Sequence, residues 1–362
     1  MTGSKRRLAA VGLAAMFVIA GLSACGSDSA DTTAAPAETE APAAETTGAP
    51  AAETTGAPVA ETEAAATEAM AAETTAAAAA AGGGGKKLAI VSPYYSNQPA
   101  TKEVVDAFKS AAEAKGHTVT LVDTKGDLPT VNNEMQNAVS QKADAIVLGM
   151  GDPKEFSAGL KAAKEAGIPV FGLDAGAADG VTANITSDND FLGTTSAQAM
   201  LDAIGGKGSV IMIHFDPFEP VRLRDAAAKK LFEEKGIKII EYVQGDPADS
   251  TGFAKTTVKD FLSKYPKGQV SGVWAGWDAS ALGAYQATQE TGRTEVIVTG
   301  VDGQDFARAE VKKGGNWVAT VRQDWGAIAA KALEVIEANF GGTAPASQTI
   351  VVPGELITKA NA

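Results

Sequence analysis

The chain has 362 residues, with 31 Lys+Arg against 44 Asp+Glu, a single Cys and two His, for a formal net charge of −13. One cysteine excludes a disulfide framework and any cysteine-built metal cluster, and two histidines leave little room for histidine-based catalysis. With the three bases of residues 1–25 and the ten acids of residues 26–85 set aside, residues 86–362 still carry a net −6, which argues against a nucleic acid or any other polyanion as partner.

In chain order, Lys5, Arg6 and Arg7 precede an apolar run from Leu8 to about Ala20 and then small residues, the pattern of a secretory leader and too short for a spanning helix. The run ends in Leu22-Ser23-Ala24-Cys25, followed by Gly26. This stretch resembles the lipobox of bacterial lipoproteins, which implies acylation of Cys25, export, and a lipid anchor in the cell membrane facing the periplasm or the outside. Residues 26–85 consist almost wholly of Ala, Glu, Thr, Pro and Gly, with AAETTGAP at 43–50 and again at 51–58. Such a segment cannot bury enough apolar surface to offset its ordering entropy, so it is expected to be a disordered tether. As a flexible coil it reaches about 40–46 Å.

From Lys87 onward, β-branched runs alternate with amphipathic helical patterns. Strands are predicted at 88–92, 118–123, 145–149, 170–173, 210–214, 237–243, 272–275, 296–301 and 318–322, with helices between them, the last at about 327–339. This alternation predicts α/β architecture, with parallel sheets covered by helices on both faces. Ligands in such sheets sit beyond the carboxyl ends of strands. The strand-end residues Asp174 and Asp302 are each followed within two positions by glycine and are expected to face a cleft. Asp152 and Asp278 precede helical patterns and read as helix caps. Trp317 and Trp325 read as packing residues.

The stretches AGIPVFGLDAGA (166–177), TSDNDFLG (186–193), WDASALGAYQAT (277–288), VTGVDG (298–303) and VATVRQD (318–324), in this order and spacing, resemble type I periplasmic sugar-binding proteins, the ribose- and galactose-binding group that serves ABC importers. The resemblance spans about Lys87 to Val352. It implies two Rossmann-like lobes joined by a three-crossing hinge near Thr186–Asp188, near Gln323–Asp324 and close to the carboxyl end. Lobe 1 would take about 86–187 and 324–350, and lobe 2 about 188–323 and 351–362. It further implies that Asp174, Arg224, Asp302 and Gln323 contact a sugar, with Tyr94, Tyr95 and Trp277 offering aromatic faces and Asn97 contributing from the first loop. Ionised carboxylates and a planar guanidinium suit vicinal hydroxyls through charge-assisted hydrogen bonds, and flat rings suit the CH face of a sugar. The implied partners are a small sugar or polyol and the membrane subunits of a permease, the protein being a monomer without cofactor or metal.

The chain departs from the family pattern at Ala175, where many relatives have Arg, and at Trp277, where they have Asn, which leaves the ligand's identity open. An aromatic cage for a quaternary or primary amine, or a site for a nucleoside or furanosyl signal, is the alternative. It turns on whether Arg224 faces the cleft beside Asp174 and Asp302. No Gly-x-Ser-x-Gly elbow occurs, and His214-Phe215-Asp216 lacks a third metal ligand by spacing. An enzyme is therefore not expected. The transcription regulators that share this core fold carry a basic amino-terminal DNA-binding unit, where this chain has an acidic stretch.

Overall fold

The computed structural model describes residues 85–362. The leader, Cys25 and the tether lie outside the described residues. Twelve strands and nine α-helices follow one another in the described part. The first lobe takes β1 (Lys87–Ser92), α1 (Pro99–Ala114), β2 (Thr118–Asp123), α2 (Leu128–Ser140), β3 (Ala145–Gly149), α3 (Ser157–Glu165), β4 (Val170–Leu173) and β5 (Ala183–Ser187). The second takes α4 (Asn189–Ala203), β6 (Ser209–His214), α5 (Glu219–Glu234), β7 (Lys238–Gln244), α6 (Ser250–Lys264), β8 (Gly272–Ala275), α7 (Asp278–Glu290), β9 (Ile297–Asp302), α8 (Asp305–Lys313) and β10 (Trp317–Arg322). Helix α9 (Trp325–Phe340) returns to pack on α1, and the chain ends in β11 (Thr349–Val352) and β12 (Glu355–Thr358).

Two six-stranded sheets result, ordered β11-β5-β4-β3-β1-β2 and β12-β10-β9-β8-β6-β7. Every pairing is parallel except β10 with β12. The central strands β3, β4, β6 and β8 are buried along their whole length, as strands sandwiched between two helical layers must be. Their continuous Val, Ile, Leu and Ala runs are the reason they are visible in the sequence.

The chain passes between the sheets at Asp188, at Gln323–Asp324 and at Pro353–Gly354. The last of these lies just beyond the boundary expected after residue 350, because β11 continues to Val352. Three strands carry no expectation from the sequence: β5, β11 and β12. Strand β5 is Ala-Asn-Ile-Thr-Ser, and its polar side chains are buried within a hydrogen-bonded network rather than in apolar contact. The helix expected over 154–166 begins instead as a short 3-10 turn, Pro153–Phe156, capped by the Asp152 carboxylate, which accepts from the Lys154 amide at 3.0 Å.

Among the described residues, no helix is long and apolar enough to cross a membrane.

Candidate functional site

The carboxyl ends of the two sheets face each other across a cavity lined by residues of both, where ligands of such sheets bind. The sites of three lining residues are strand ends with backbone in the left-handed region: Met150 after β3 (φ 64°), Asp174 after β4 (φ 50°) and Asp302 at the end of β9 (φ 125°). Non-glycine residues seldom hold such angles, and they cluster at functional sites because strain of about 1–3 kcal/mol each must be offset by the surroundings.

Arg224 reaches the cavity from α5. The helix carries Pro220 in its first turn and buries Pro220, Val221, Arg224, Asp225, Ala228 and Phe232, one face at helical spacing that places Arg224 inward. Helix α4 fixes this register. A Cβ on Gly193 would stand 1.9 Å from the Arg224 carbonyl oxygen, so only glycine permits the two helices to approach this closely.

The guanidinium is 1% exposed. Its Nε donates to Asn189 Oδ1 at 3.0 Å and its Nη1 to the Gly276 carbonyl at 3.1 Å. Nη1 also lies 3.5 Å from Asp302 Oδ1, and Nη2 lies 3.8 Å from Asp174 Oδ2. Asp174 accepts from the Thr186 hydroxyl on its other oxygen. Asp302 accepts from Gln323 Nε2 at 2.9 Å on Oδ1 and from the Asp278 amide at 3.4 Å on Oδ2.

Burial raises the pKa of both aspartates, and Arg224 opposes it. Asp174 is pushed above the ordinary carboxylate range by desolvation, against the pull of Arg224 and Thr186. Asp302 is pushed up to about 7 by desolvation, with Arg224 and Gln323 holding it down and Asp174 pushing further. One guanidinium thus faces two carboxylates whose pKa values burial raises and its charge lowers.

Several polar atoms of lining residues are buried without a hydrogen-bond partner: Asp174 Oδ2, Arg224 Nη2, Gln323 Oε1, and the indole nitrogens of Trp277 and Trp325. Native interiors rarely tolerate such groups, so their convergence on one cavity marks a place built for polar atoms of a ligand. The walls are aromatic. Tyr94 packs edge-on against Phe215 and Phe218, with centroids 6.4 and 6.3 Å apart, and Phe215 continues to Trp277 at 6.3 Å. Gly245 leaves room for the Trp277 ring, whose Cη2 would be 2.4 Å from a Cβ there.

Of the residues expected at the site, Tyr94, Asp174, Arg224, Trp277, Asp302 and Gln323 line the cavity. Tyr95 and Asn97 do not. The Tyr95 hydroxyl donates to Asp106 at 2.8 Å on α1, with the Lys102 ammonium 5.0 Å from its ring centroid, so its side chain is spent on the helix flank. Asn97 has a buried, unpartnered Oδ1 but lies outside the lining; the adjacent Gln98 is the residue of that loop that enters. Trp325, read as packing from the sequence, is a wall residue. Asp278 is not a cap. It is fully buried and accepts from the Thr320 hydroxyl at 2.7 Å and the Gln304 amide at 2.9 Å, bracing the turn that carries Asp302. Met150 and Phe215 follow strands directly, and that position was their only sequence signal. Phe218 and Pro247 carried none.

The lobes also touch on both flanks of the cavity. On one, Asp152 pairs with Arg222 at 2.6 Å, and Glu219 meets Lys154 and accepts from the Ala177 amide at 3.3 Å. On the other, Gln98 Nε2 donates to Ser250 Oγ at 3.0 Å and Gln304 Nε2 to Glu103 at 2.9 Å. Among the described residues, no group of three or more His, Cys, Asp or Glu is placed to hold a metal ion; His214 instead stacks on Tyr242 at 3.9 Å and meets Asp216.

Two α/β lobes that close on a buried, partly unpaired polar cluster beside their crossings define a cleft-type binding protein. Residues 88–344 match the family model for the periplasmic binding protein domain, and the chain belongs to that family. It is 30% identical over 240 residues to a D-apiose import binding protein of Actinobacillus succinogenes, covering 65% of this chain and 76% of the relative. An ABC transporter solute binding protein from Agrobacterium vitis, solved with bound allitol, superposes with a TM-score of 0.72 at 27% identity, over 76% of this chain and 96% of that one. An ABC sugar transporter subunit from Rhodobacter sphaeroides gives 0.71 at 29%, over 77% and 99%.

Proposed function

We propose that the chain is the extracytoplasmic substrate-binding lipoprotein of an ABC importer, binding a monosaccharide or sugar alcohol and passing it to permease subunits, without catalysing a reaction. The observation that carries this is the Asp174–Arg224–Asp302 cluster, buried in an aromatic-walled cavity between the lobes with polar atoms left unpaired. Hydroxyl groups both donate and accept, so adjacent hydroxyls satisfy carboxylate, guanidinium and amide together. Each charge-assisted bond contributes about 1.5–3 kcal/mol. A few of them with aromatic cover are sufficient for a micromolar dissociation constant, about −8.2 kcal/mol, after ordering costs.

Asp174 and Tyr94 belong to the first lobe, and Arg224, Trp277 and Asp302 to the second. A ligand touching both lobes binds the closed form better than the open one, and that difference drives closure. The position of Arg224, between both aspartates, favours a neutral polyhydroxylated ligand over a cationic amine, which would meet a guanidinium instead of an open cage. The sugar-import relatives support the same class. The lipobox-like Leu22–Cys25 stretch supports export and anchoring by lipid on Cys25, with the protein working as a tethered monomer.

A thermal-shift screen of the full chain against monosaccharides, polyols, nucleosides and quaternary amines tests this. A ligand at a hundred times its dissociation constant adds about 2.7 kcal/mol of stability. A raised midpoint with a sugar or polyol is expected; a response to amines alone overturns the reading.

A further inference from the structure

The lining of the cavity holds two groups of different chemistry, which meet where Phe215 packs on Trp277. Asp174, Arg224, Asp302 and Gln323 form one, each within hydrogen-bond or ion-pair distance of another. Their remaining capacity is Asp174 Oδ2, Arg224 Nη2 and Gln323 Oε1, to which the Trp277 and Trp325 indole N–H groups add two donors. This is enough for a short run of adjacent hydroxyls along one edge of a ligand.

The other group is Tyr94, Phe215 and Phe218, in edge-on contact, with Val221 and Met150 beside them in the lining. Its polar capacity is small. The Thr101 hydroxyl donates to Met150 Sδ at 2.8 Å, and the Gln98 amide nitrogen donates to Ser250 and Pro247. What remains there is the Gln98 Oε1 and the Tyr94 hydroxyl, the latter kept neutral by burial and by the nearby Asp152 and Glu155, which push its pKa up to about 12. Two aromatic faces suffice to cover the two faces of a sugar ring. Phe215, Phe218, Val221 and Met150 add lining with no oxygen or nitrogen in their side chains, and a hydroxyl directed at them is buried without a partner.

Resting on the sugar-receptor reading above, we propose that the ligand is a carbohydrate hydroxylated along one edge and apolar at its far end, a terminally deoxygenated or alkyl-substituted sugar in preference to a fully hydroxylated one. The hydroxylated edge lies on Asp174, Arg224, Asp302 and Gln323. The methyl or other apolar terminus lies against Phe215, Phe218 and Met150.

The test is titration calorimetry of the full chain with matched pairs: D-galactose and 6-deoxy-D-galactose, D-ribose and 5-deoxy-D-ribose, L-mannose and L-rhamnose. The deoxygenated member of the recognised pair is expected to bind about 10- to 100-fold tighter, the usual penalty for a hydroxyl in an apolar pocket. Phe218→Tyr, which sets a hydroxyl in that wall, should narrow the ratio. Equal or tighter binding by the fully hydroxylated member overturns this inference and leaves the sugar reading standing. Binding by no sugar or polyol, in these pairs or in the screen above, overturns both.

Discussion

Replacing Arg224 by Met removes the one cation that faces Asp174 and Asp302 while keeping a side chain of similar reach. The guanidinium is 1% exposed, 3.8 Å from one carboxylate and 3.5 Å from the other. Removing one partner of a buried ion pair costs about 3–5 kcal/mol, because the remaining charge is left uncompensated. That cost has a sign with pH. Arg224 is the main influence holding both aspartates down against desolvation, so without it their folded pKa values rise further above the unfolded ones. A carboxylate with a raised folded pKa binds its proton more tightly in the folded state, and stability is lost as pH rises from the unfolded value through the folded one. At pH 5 Asp302 of the variant is protonated, and the loss shifts toward altered packing and hydrogen bonding. At pH 8 both aspartates must ionise in the interior or stay protonated against the solvent. The expected loss is about 3–5 kcal/mol at pH 8, or roughly 5–9 °C in midpoint at about 2.1 cal/mol/K of unfolding entropy per residue, and clearly less at pH 5. Thermal melts of wild type and variant across that range check it. An equal loss at both pH values would refute the claim that Arg224 works by compensating these carboxylates.

Other consequences follow from the same geometry. Because Asp302 sits at about 7 and ligand hydroxyls favour its ionised form, binding near pH 6 should release a fraction of a proton and weaken as pH falls. Calorimetry in two buffers of different ionisation enthalpy reads this directly, and buffer-independent heats would count against it. Arg222→Ala removes the Asp152 contact that bridges the lobes. It should weaken ligand binding about two- to fivefold, since a part-exposed pair is worth about 1 kcal/mol, and should enlarge the radius of gyration of the free protein in X-ray scattering. Trp325→Phe keeps the wall but removes a buried indole donor, and should cost about 0.5–1.5 kcal/mol of affinity with little change in midpoint. Gly193→Ala forces α4 away from α5 and should lower both stability and affinity, as seen by melts and titration of one preparation.

Much of this fold was legible in the sequence because most strands of a parallel sheet are buried on both faces and appear as unbroken apolar runs. Strand β5 was not, since Asn184 and Thr186 enter the interior by hydrogen bonding to the Ala175 amide and to Asp174. Nor were β11 and β12, four-residue strands on either side of Pro353–Gly354, where composition alone suggests a loop. At the site, Asp174 and Asp302 were visible as polar residues at strand ends beside glycine. Arg224 sits on the buried face of a helix half of whose residues are charged, and only the family pattern pointed to it. Tyr95 was placed wrongly because adjacent residues of a loop diverge, and α1 offers it Asp106 as a partner. Trp325 was missed because an indole just after a crossing looks the same in sequence whether it packs a helix or walls a cavity.

The central claim is that a sugar or polyol is held by the paired aspartates across the two lobes. Equilibrium titration of the sugar or polyol that stabilises the wild-type chain, repeated on Asp302→Ala and Asp174→Asn with folding checked by circular dichroism, tests it most directly. The account predicts folded variants whose affinity falls by a hundredfold or more, as about 1.5–3 kcal/mol is lost for each charge-assisted bond and the unpaired guanidinium adds to it. Folded variants that bind the same ligand with an unchanged dissociation constant would contradict it.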